Sequence, residues 1–355
     1  MGFAVSLISA MFRRMFASAG LRPGSAVVDD DGTTLHFWAH SSLLILPSKN
    51  GAAAAAAAAG RRPVVVLVHG FGPDPTWQWG AQVGPLSRHF DLVVPTLLFF
   101  GASTTRAAPR SDAFQAAAIA ALLTSGGAHL PGLGGERREL HIVGTSYGGL
   151  VARHLARALS TSAGDGQVEV GKVVLCDADL AKGAEDDAAL AAKGGVAEVT
   201  ELMAPADGKA FRRLMALCVH RPPKYIPDFL IEIKKREITF SLNFDLQICK
   251  LRVVQKYFAD KREEKIRLIK EIVTEEQDSQ LNSPLPQEIL IIWGEFDQIF
   301  PVEKAHKVKE MLGEKATVKI IPNTGHLAHQ EDPKMFNDIL LKFLLPSPAV
   351  ANGAK

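Results

Sequence analysis

The stretch ELHIVGTSYGGLVARHLARAL, residues 139–159, decides the fold. An apolar run leads into GTSYG, residues 144–148, and a helical pattern of apolar residues follows. A Gly-x-Ser-x-Gly pattern means little alone, because a chain with 30 glycines forms it easily by chance. Between a strand and a helix, however, the pattern is typical of a strained turn that exposes a serine hydroxyl. Ser146 is therefore the candidate nucleophile.

Strand-like and helix-like runs alternate on both sides of this unit. Continuous β-branched runs are typical of strands that are buried on both faces of a parallel sheet. The strand-like runs are RPVVVLVHG, DLVVPTL, ELHIVGTS, KVVLCDA, EILIIWGEFD and ATVKIIPNTG, and the helix-like runs are FQAAAIAALLTS, GLVARHLARALS, VEKAHKVKEMLG and PKMFNDILLKFLL. This order predicts an α/β fold with a doubly wound, mostly parallel sheet.

A long insertion separates the fourth and fifth strand-like runs. It contains AFRRLMALCVH and EEKIRLIKEIV, whose apolar residues recur at helical spacing, so we expect a helical cap. The low-complexity run GAAAAAAAAG, residues 51–60, is interpreted as a lengthened surface loop between two strands. The predicted division is an N-terminal amphipathic helix (1–28), the first part of the core (29–180), the cap (181–285), the second part of the core (286–345) and a flexible tail (346–355).

Composition and charge narrow the class of protein. The chain is 47% hydrophobic and 22% charged, which is ordinary for a globular protein, and its formal net charge of +2 gives no basic footprint for nucleic acid. Its three cysteines lack the spacing of a zinc site or a disulfide framework, which indicates a reducing compartment. No apolar run reaches the roughly 18 residues of a membrane span. We expect a cytoplasmic monomer that uses no metal and no cofactor.

The N-terminal 28 residues allow other locations. They contain no acidic side chain, which is typical of organelle transit peptides. The same segment fits an amphipathic helix that docks on the domain or makes a peripheral contact with a membrane surface. The basic residues are Arg13, Arg14 and Arg22, and the apolar residues at helical spacing are Leu7, Ile8, Met11, Met15 and Phe16.

A serine hydroxyl becomes a good nucleophile only when a base removes its proton. His326, in the loop NTGHLAHQEDP after the last predicted strand, lies at the sheet edge where Ser146 is expected. His329 is the nearest rival, but we expect it to begin the next helix. His326 is therefore the candidate base.

The base in turn needs a carboxylate to orient it. Asp297, in IIWGEFDQIFP just after the penultimate strand, gives the chain order Ser, Asp, His. Asp177, after the strand VVLC, is the competing candidate, because a neighbouring strand edge could also reach the histidine. Glu295 and Asp179 are expected to be solvated.

The developing oxyanion needs backbone N–H donors, and the substrate needs a pocket. The candidate donors are the N–H groups of Phe71, in the HGFG turn after the first strong strand, and of Tyr147, which follows the nucleophile. His69 is then a structural residue of the turn. An apolar pocket is expected from residues beside these motifs, although each could equally be core: Phe99, Phe100, Ile299, Phe300 and Leu327.

These motifs together resemble the α/β-hydrolase fold superfamily, in its serine-nucleophile branch, from about residue 30 to 345. The resemblance rests on VVVLVHGFG, the turn around Ser146, WGEFDQIFP and NTGHLAHQEDP. More narrowly, FASAGLRP, HFWAH, TWQW, PTLLFFGAS and CVHRPPKYIPDF look like plant single-domain hydrolases related to C–C bond hydrolases and monoacylglycerol lipases. The resemblance implies a helical cap after VVLCDA. Serine at 146 argues against epoxide hydrolases and haloalkane dehalogenases, which resemble this fold but carry an aspartate nucleophile.

The sequence therefore predicts a serine hydrolase that cleaves a carboxylic ester of a small hydrophobic or lipid-like substrate. A C–C bond hydrolase is one alternative. The other is a ligand receptor of the same fold, like the plant strigolactone and karrikin receptors, with slow or no turnover.

Overall fold

The computed structural model describes residues 3–45, 61–134, 137–161, 168–221, 258–272 and 284–346. The poly-alanine loop at 51–60, the tail at 347–355 and residues 222–257 and 273–283 of the predicted cap lie outside these ranges.

Within the described ranges, eight strands form one sheet in the order β1-β2-β4-β3-β5-β6-β7-β8. Strands β1 and β2 pair antiparallel, β2 pairs antiparallel with β4, and all other neighbours are parallel. This confirms the predicted fold class. The strands are β1 (Leu21–Val27), β2 (Thr34–His40), β3 (Val64–Val68), β4 (Asp91–Pro95), β5 (Arg138–Thr145), β6 (Val168–Cys176), β7 (Glu288–Gly294) and β8 (Ala316–Ile321).

The central strand β3 shows why the continuous apolar runs form strands here. All five of its residues are buried. Val64, Val66 and Val68 pack into the core on one face of the sheet, and Val65 and Leu67 pack into the core on the other. Because successive side chains of a strand point to opposite faces, only an uninterrupted apolar run can serve both cores.

Helices cover both faces of this sheet. Helices α1, α2, α10 and α11 pack on one face, and α3, α4 and α9 pack on the other. The helices outside the insertion are α1 (Phe3–Ser18), α2 (Pro75–Leu86), α3 (Asp112–Thr124), α4 (Tyr147–Thr161), α9 (Glu303–Leu312), α10 (Ala328–Glu331) and α11 (Pro333–Leu344).

The N-terminal segment differs from the prediction of one helix over residues 1–28. The helix ends at Ser18, and Leu21–Val27 pairs as an edge strand along the whole of β2. The stretch LRPGSAV contains Pro and Gly and has no strand signal of its own, so its pairing with β2 determines its conformation. Phe16 of α1 is fully buried, which favours docking on the domain, whereas Met15 is 38% exposed.

The inserted segment is helical where the structure describes it. Its helices are α5 (Ala184–Gly194), α6 (Val199–Met203), α7 (Gly208–Cys218) and α8 (Arg262–Lys270), and AFRRLMALCVH and EEKIRLIKEIV contribute α7 and α8. An apolar cluster joins the insertion to the segment after β7. It contains Leu190, Leu202, Leu214 and Phe258 of the insertion and Ile299. This cluster attaches the insertion to the carboxyl edge of the sheet. Among the described helices, none has both the length and the apolar character needed to cross a bilayer.

Candidate active site

Ser146 occupies a strained turn between β5 and α4. Its φ angle is +53°, in the left-handed region that non-glycine residues rarely adopt. A Cβ atom on Gly148 would lie 2.4 Å from the carbonyl oxygen of Val68, so glycine is required where α4 begins against β3. The turn therefore presents the Ser146 side chain at the carboxyl edge of the sheet.

A continuous chain of hydrogen bonds joins Ser146, His326 and Asp297. The Ser146 Oγ lies 2.9 Å from His326 Nε2, and His326 Nδ1 lies 2.8 Å from Asp297 Oδ2. The other carboxylate oxygen, Oδ1, accepts the N–H groups of Ile299 and Phe300 at 2.8 and 3.0 Å. Since an ionised carboxylate only accepts, Nδ1 carries the proton and Nε2 is free to accept the serine proton. The structure thus brings together the three residues that sequence reasoning selected.

The other two histidines near these motifs have different surroundings. His329 lies within α10, as expected, and packs between the rings of Trp79 and Phe336 at 5.3 and 5.8 Å. The His69 Nδ1 donates to the Gly70 carbonyl at 2.8 Å, and its Nε2 accepts the Leu97 N–H at 3.0 Å. Burial lowers the pKa of His69 to about 4 and that of His329 to about 3, so both are neutral at pH 7.

Two carboxylates follow β6. Asp177, the competing candidate, is fully buried, and its Oδ1 accepts the Gly294 N–H at 2.8 Å. Asp179 is not solvated as expected: it is 2% exposed, and its Oδ2 lies 3.1 Å from Lys304 Nζ. Burial raises the pKa of Asp179 above its usual range even with this lysine beside it. The expectation failed because Lys304, on α9, is distant in sequence.

The candidate oxyanion donors belong to two separate turns, one after β3 and one at the start of α4. Tyr147 is the first residue of α4, and the N–H groups of a helix's first turn have no acceptor within the helix. Phe71 follows Gly70, whose backbone is held by the Gln78 side chain. The rings of Phe71 and Tyr147 meet edge to face at 6.0 Å. Sequence reasoning missed Gln78, although it lies in the TWQW stretch.

Two apolar cavities meet at Ser146. The larger holds about 340 Å³ and the smaller about 40 Å³. Phe71, Ser146 and Met203 line both. The larger cavity is also lined by Trp77, Phe211, Leu214, Met215, Phe258, His326 and Leu327, and the smaller by Tyr147, Leu150, Asp179, Lys182, Leu190, Val199, Ile299 and Phe300, among others.

The predicted pocket residues divide accordingly. Leu327 lines the larger cavity, and Ile299 and Phe300 line the smaller. The structure places Phe99 and Phe100 in the core instead, 3% and 1% exposed. They support the site from behind: Phe100 packs edge to face against both His69 and Phe71 at 5.2 Å, and the Arg110 guanidinium lies 4.2 Å from the Phe99 ring centre. Adjacency in sequence could not show which way these rings point.

The model of the family described as "Alpha/beta hydrolase family" matches residues 65–339, which is most of the chain. The chain belongs to the alpha/beta hydrolase family. The match begins in β3, so α1, β1 and β2 of this hydrolase-family chain precede the matched region.

A named relative and several solved structures resemble this hydrolase-family chain. The dihydrolipoyllysine-residue acetyltransferase component of the acetoin cleaving system of Cupriavidus necator is 26% identical over 286 residues. That alignment covers 79% of this chain, which spans only 63% of the relative's length.

The solved structures share the fold over nearly their whole length. A membrane phospholipase A, described as a bacterial virulence factor, has a TM-score of 0.66 and 20% identity, covering 96% of this chain and 91% of that one. A putative lipase from Acinetobacter baumannii AYE has a TM-score of 0.60 and 19% identity, covering 95% of each chain. The 2-hydroxy-6-oxo-6-phenylhexa-2,4-dienoate hydrolase of Rhodococcus sp. strain RHA1 has a TM-score of 0.57 and 18% identity, covering 91% and 98%.

One cluster in this hydrolase-family chain has the spacing of a cation site. Oxygens of Asp177 and Asp297 and a ring nitrogen of His326 all lie within 4.8 Å of one another. Both ring nitrogens of His326, however, already have partners in Asp297 and Ser146. The arrangement therefore fits proton transfer along the hydrogen-bonded chain better than ligation of a metal ion.

Proposed function

We propose that this chain is a serine hydrolase that cleaves a carboxylic ester of a hydrophobic or lipid-like substrate through an acyl-enzyme. One observation carries the proposal: the hydrogen-bonded chain from Ser146 through His326 to Asp297 reaches the junction of two apolar cavities. Ser146 is the nucleophile, His326 is the general base and acid, and Asp297 orients the imidazole.

The reaction proceeds in two transfers of the acyl group. The Ser146 Oγ attacks the ester carbonyl while His326 Nε2 takes its proton, and Asp297 stabilises the imidazolium that forms. The N–H groups of Phe71 and Tyr147 stabilise the tetrahedral oxyanion. The imidazolium then protonates the leaving alcohol. Water, activated by the same imidazole, attacks the acyl-enzyme and releases the acid and Ser146.

The two cavities differ in size, which favours an ester with one large portion and one small portion. Leu214, Phe211 and Met215 of the insertion give the larger cavity an apolar wall, which suits a hydrophobic acyl or aryl group. The smaller cavity has a charged end, where Lys182 pairs with Asp187 at 2.6 Å. A small or polar alcohol portion fits that side. The membrane phospholipase A and the putative lipase, whose folds this chain shares, agree with this substrate class.

Labelling with a fluorophosphonate probe and turnover of p-nitrophenyl esters of increasing acyl length test the proposal. We expect labelling of the wild type and loss of both labelling and turnover in Ser146→Ala, with an unchanged folded state. Ser18→Ala, an exposed serine at the end of α1, is the matched control. The substrate panel includes a vinylogous 1,5-diketone as a C–C substrate.

Three results would point elsewhere. An unlabelled wild type contradicts a serine hydrolase. Faster cleavage of the diketone than of any ester supports the C–C bond hydrolase. A single slow turnover with ligand-dependent binding of a partner protein supports the receptor.

A further inference from the structure

Asp177 is a second buried carboxyl group beside the proposed triad. It directly follows β6 with φ +47°, and none of its surface is exposed. Its N–H donates to the Ile292 carbonyl at 2.9 Å, and its Oδ1 accepts the Gly294 N–H at 2.8 Å. Within the described ranges its Oδ2 accepts no hydrogen bond. Burying an ionised carboxylate oxygen without a hydrogen-bond donor costs free energy, which disfavours the charged form of Asp177.

The charged surroundings of Asp177 are acidic. Asp297 and His326 approach within 4.8 Å. The negative charge of Glu331 of α10 also raises the pKa of the Asp177 carboxyl group, and the Cys176 thiol precedes Asp177 in the chain. In the part of the chain that the structure describes, Asp177 forms no ion pair with Lys or Arg, in contrast to Asp179.

Two carboxyl groups this close in a dry site do not both ionise, since each charge raises the energy of the other. The negative charge is more stable on Asp297, because this carboxylate accepts two backbone N–H groups and the His326 Nδ1–H. Asp177 accepts only one N–H, so the proton that leaves the two carboxyl groups with a single charge belongs on the Asp177 Oδ2. Burial and the Asp297 charge accordingly raise the pKa of Asp177 well above its usual range.

We propose that Asp177 is a reserve acid of the site: it is a neutral carboxylic acid beside the Asp297 carboxylate, and it becomes the orienting carboxylate for His326 when residue 297 has no charge. This inference rests on the proposed serine hydrolase function. In the wild type the proton on its Oδ2 keeps Asp177 neutral and outside the reaction, and Asp297 alone orients His326. With Asn at 297, Asp177 loses that proton to solvent before turnover and its carboxylate stabilises the imidazolium.

The rate of fluorophosphonate labelling at pH 5–9 tests the inference in wild type, Asp177→Asn, Asp297→Asn and the double variant. Asparagine has the shape and donor capacity of a protonated aspartic acid, so Asp177→Asn should stay within about threefold of wild type. Asp297→Asn should be slow, should speed up with pH along a single ionisation, and should exceed the double variant by at least about tenfold.

Equal rates in Asp297→Asn and the double variant overturn the inference, as does an Asp177→Asn variant that is as slow as Asp297→Asn. Asp112→Asn combined with Asp297→Asn is the control, because it removes a buried carboxylate that pairs with His154 instead. If the double variant does not fold, a pH-independent rate in Asp297→Asn alone overturns the inference. Failure of the wild type to label at Ser146 would instead reject the proposed function.

Discussion

Gln78 holds Gly70 through both ends of its side-chain amide. The Gln78 Oε1 accepts the Gly70 N–H at 2.8 Å, and its Nε2 donates to the Gly70 carbonyl at 3.1 Å and to the Pro73 carbonyl at 2.8 Å. Gln78 lies in α2 and is buried. The turn that carries the Phe71 N–H is therefore fixed by a side chain that does not itself take part in the proposed chemistry.

Replacing Gln78 with Met should lower kcat with little change in KM. The side chains are similar in size, but Met leaves the buried Gly70 N–H without an acceptor and lets the turn move. Because losing one oxyanion donor typically costs a factor of 10² to 10³, a displaced donor should cost about 10 to 100. Steady-state kinetics on a p-nitrophenyl ester measure this. Gln82→Met, a buried glutamine of the same helix that donates to the His329 carbonyl, is the control. An equal loss in both variants would contradict a specific role for Gln78.

The core strands were predictable because their signal is local. Runs such as VVVLV must be apolar throughout to serve two cores, and this pattern is visible without any tertiary information. Strand β1 was missed because LRPGSAV becomes a strand only by pairing with β2. The N-terminal boundary at residue 28 was wrong for the same reason.

The candidate site was predictable where it depends on the sheet edge. Parallel strands bring the ends of β5, β7 and β8 to one side, so Ser146, Asp297 and His326 were expected to meet. Only part of the cavity walls was predictable: Leu327, Ile299 and Phe300 lie beside the sequence motifs, whereas Trp77 and Met203 line the cavity at Ser146 only through helix packing. The directions of Phe99 and Phe100, and the burial of Asp179 by Lys304, likewise depend on contacts distant in sequence.

Lowering the pH should destabilise the fold already above pH 5, where ordinary carboxyl groups are still ionised. Burial lowers the pKa of His69 and His141 to about 4 and that of His329 to about 3, whereas the unfolded chain titrates near 6.5. Below pH 6.5 the unfolded state therefore takes up protons that the folded state does not, and stability falls until the folded values are reached. Each histidine should cost about 2 kcal/mol between pH 6.5 and 5.

Chemical denaturation at pH 7, 6 and 5 measures this loss as the free energy of unfolding. The raised pKa values of Asp177 and Asp179 act in the opposite sense, but these are two groups against three. His141→Gln should make the unfolding free energy fall less steeply with pH, because up to one proton fewer is taken up on unfolding. A free energy of unfolding that stays level from pH 7 to 5 would contradict the prediction.

Helix α1 should affect both stability and substrate choice through its packing on α2. The Phe12 ring lies 5.4 Å from the Trp77 ring, which lines the larger cavity, and Trp77 Nε1 donates to Ser9 Oγ at 3.2 Å. A Cβ atom on Gly80 would lie 2.6 Å from the Phe12 ring, so Gly80→Ala should push α1 outward. We expect a loss of about 1–3 kcal/mol and a changed ratio of kcat/KM between long and short acyl esters.

Gly84→Ala is the matched control on the same helix, because a Cβ atom there meets no atom within 4 Å outside its chain neighbours and the backbone of its own helix. Alanine favours a helix over glycine by up to about 1 kcal/mol, but Pro85 follows directly and crowds a Cβ atom in helical backbone, so this variant should stay close to wild type in stability. Thermal unfolding separates the two variants. Equal selectivity in Gly80→Ala and wild type would show that α1 does not shape the cavity.

Glu331 should link the end of the insertion to the histidine loop. Its Oε1 accepts the N–H groups of Gly325 and His220 at 2.8 and 3.3 Å, and its Oε2 accepts the Arg221 N–H at 2.6 Å. Gly325 directly precedes His326, whereas His220 and Arg221 follow α7. One carboxylate thus connects both sides of the larger cavity.

Glu331→Gln should loosen this connection without a change in size. An amide nitrogen cannot accept the Arg221 N–H, so at least one of the three bonds is lost and two donors face each other, at a cost of about 1–2 kcal/mol. We expect kcat to fall about 3- to 30-fold through poorer placement of His326, and faster hydrogen exchange at residues 219–221. Asp338→Asn is the control, since its ion pair with Lys334 is exposed and contributes little. Unchanged exchange in Glu331→Gln, with kinetics equal to those of Asp338→Asn, would show that the insertion and the histidine loop are held together by other contacts.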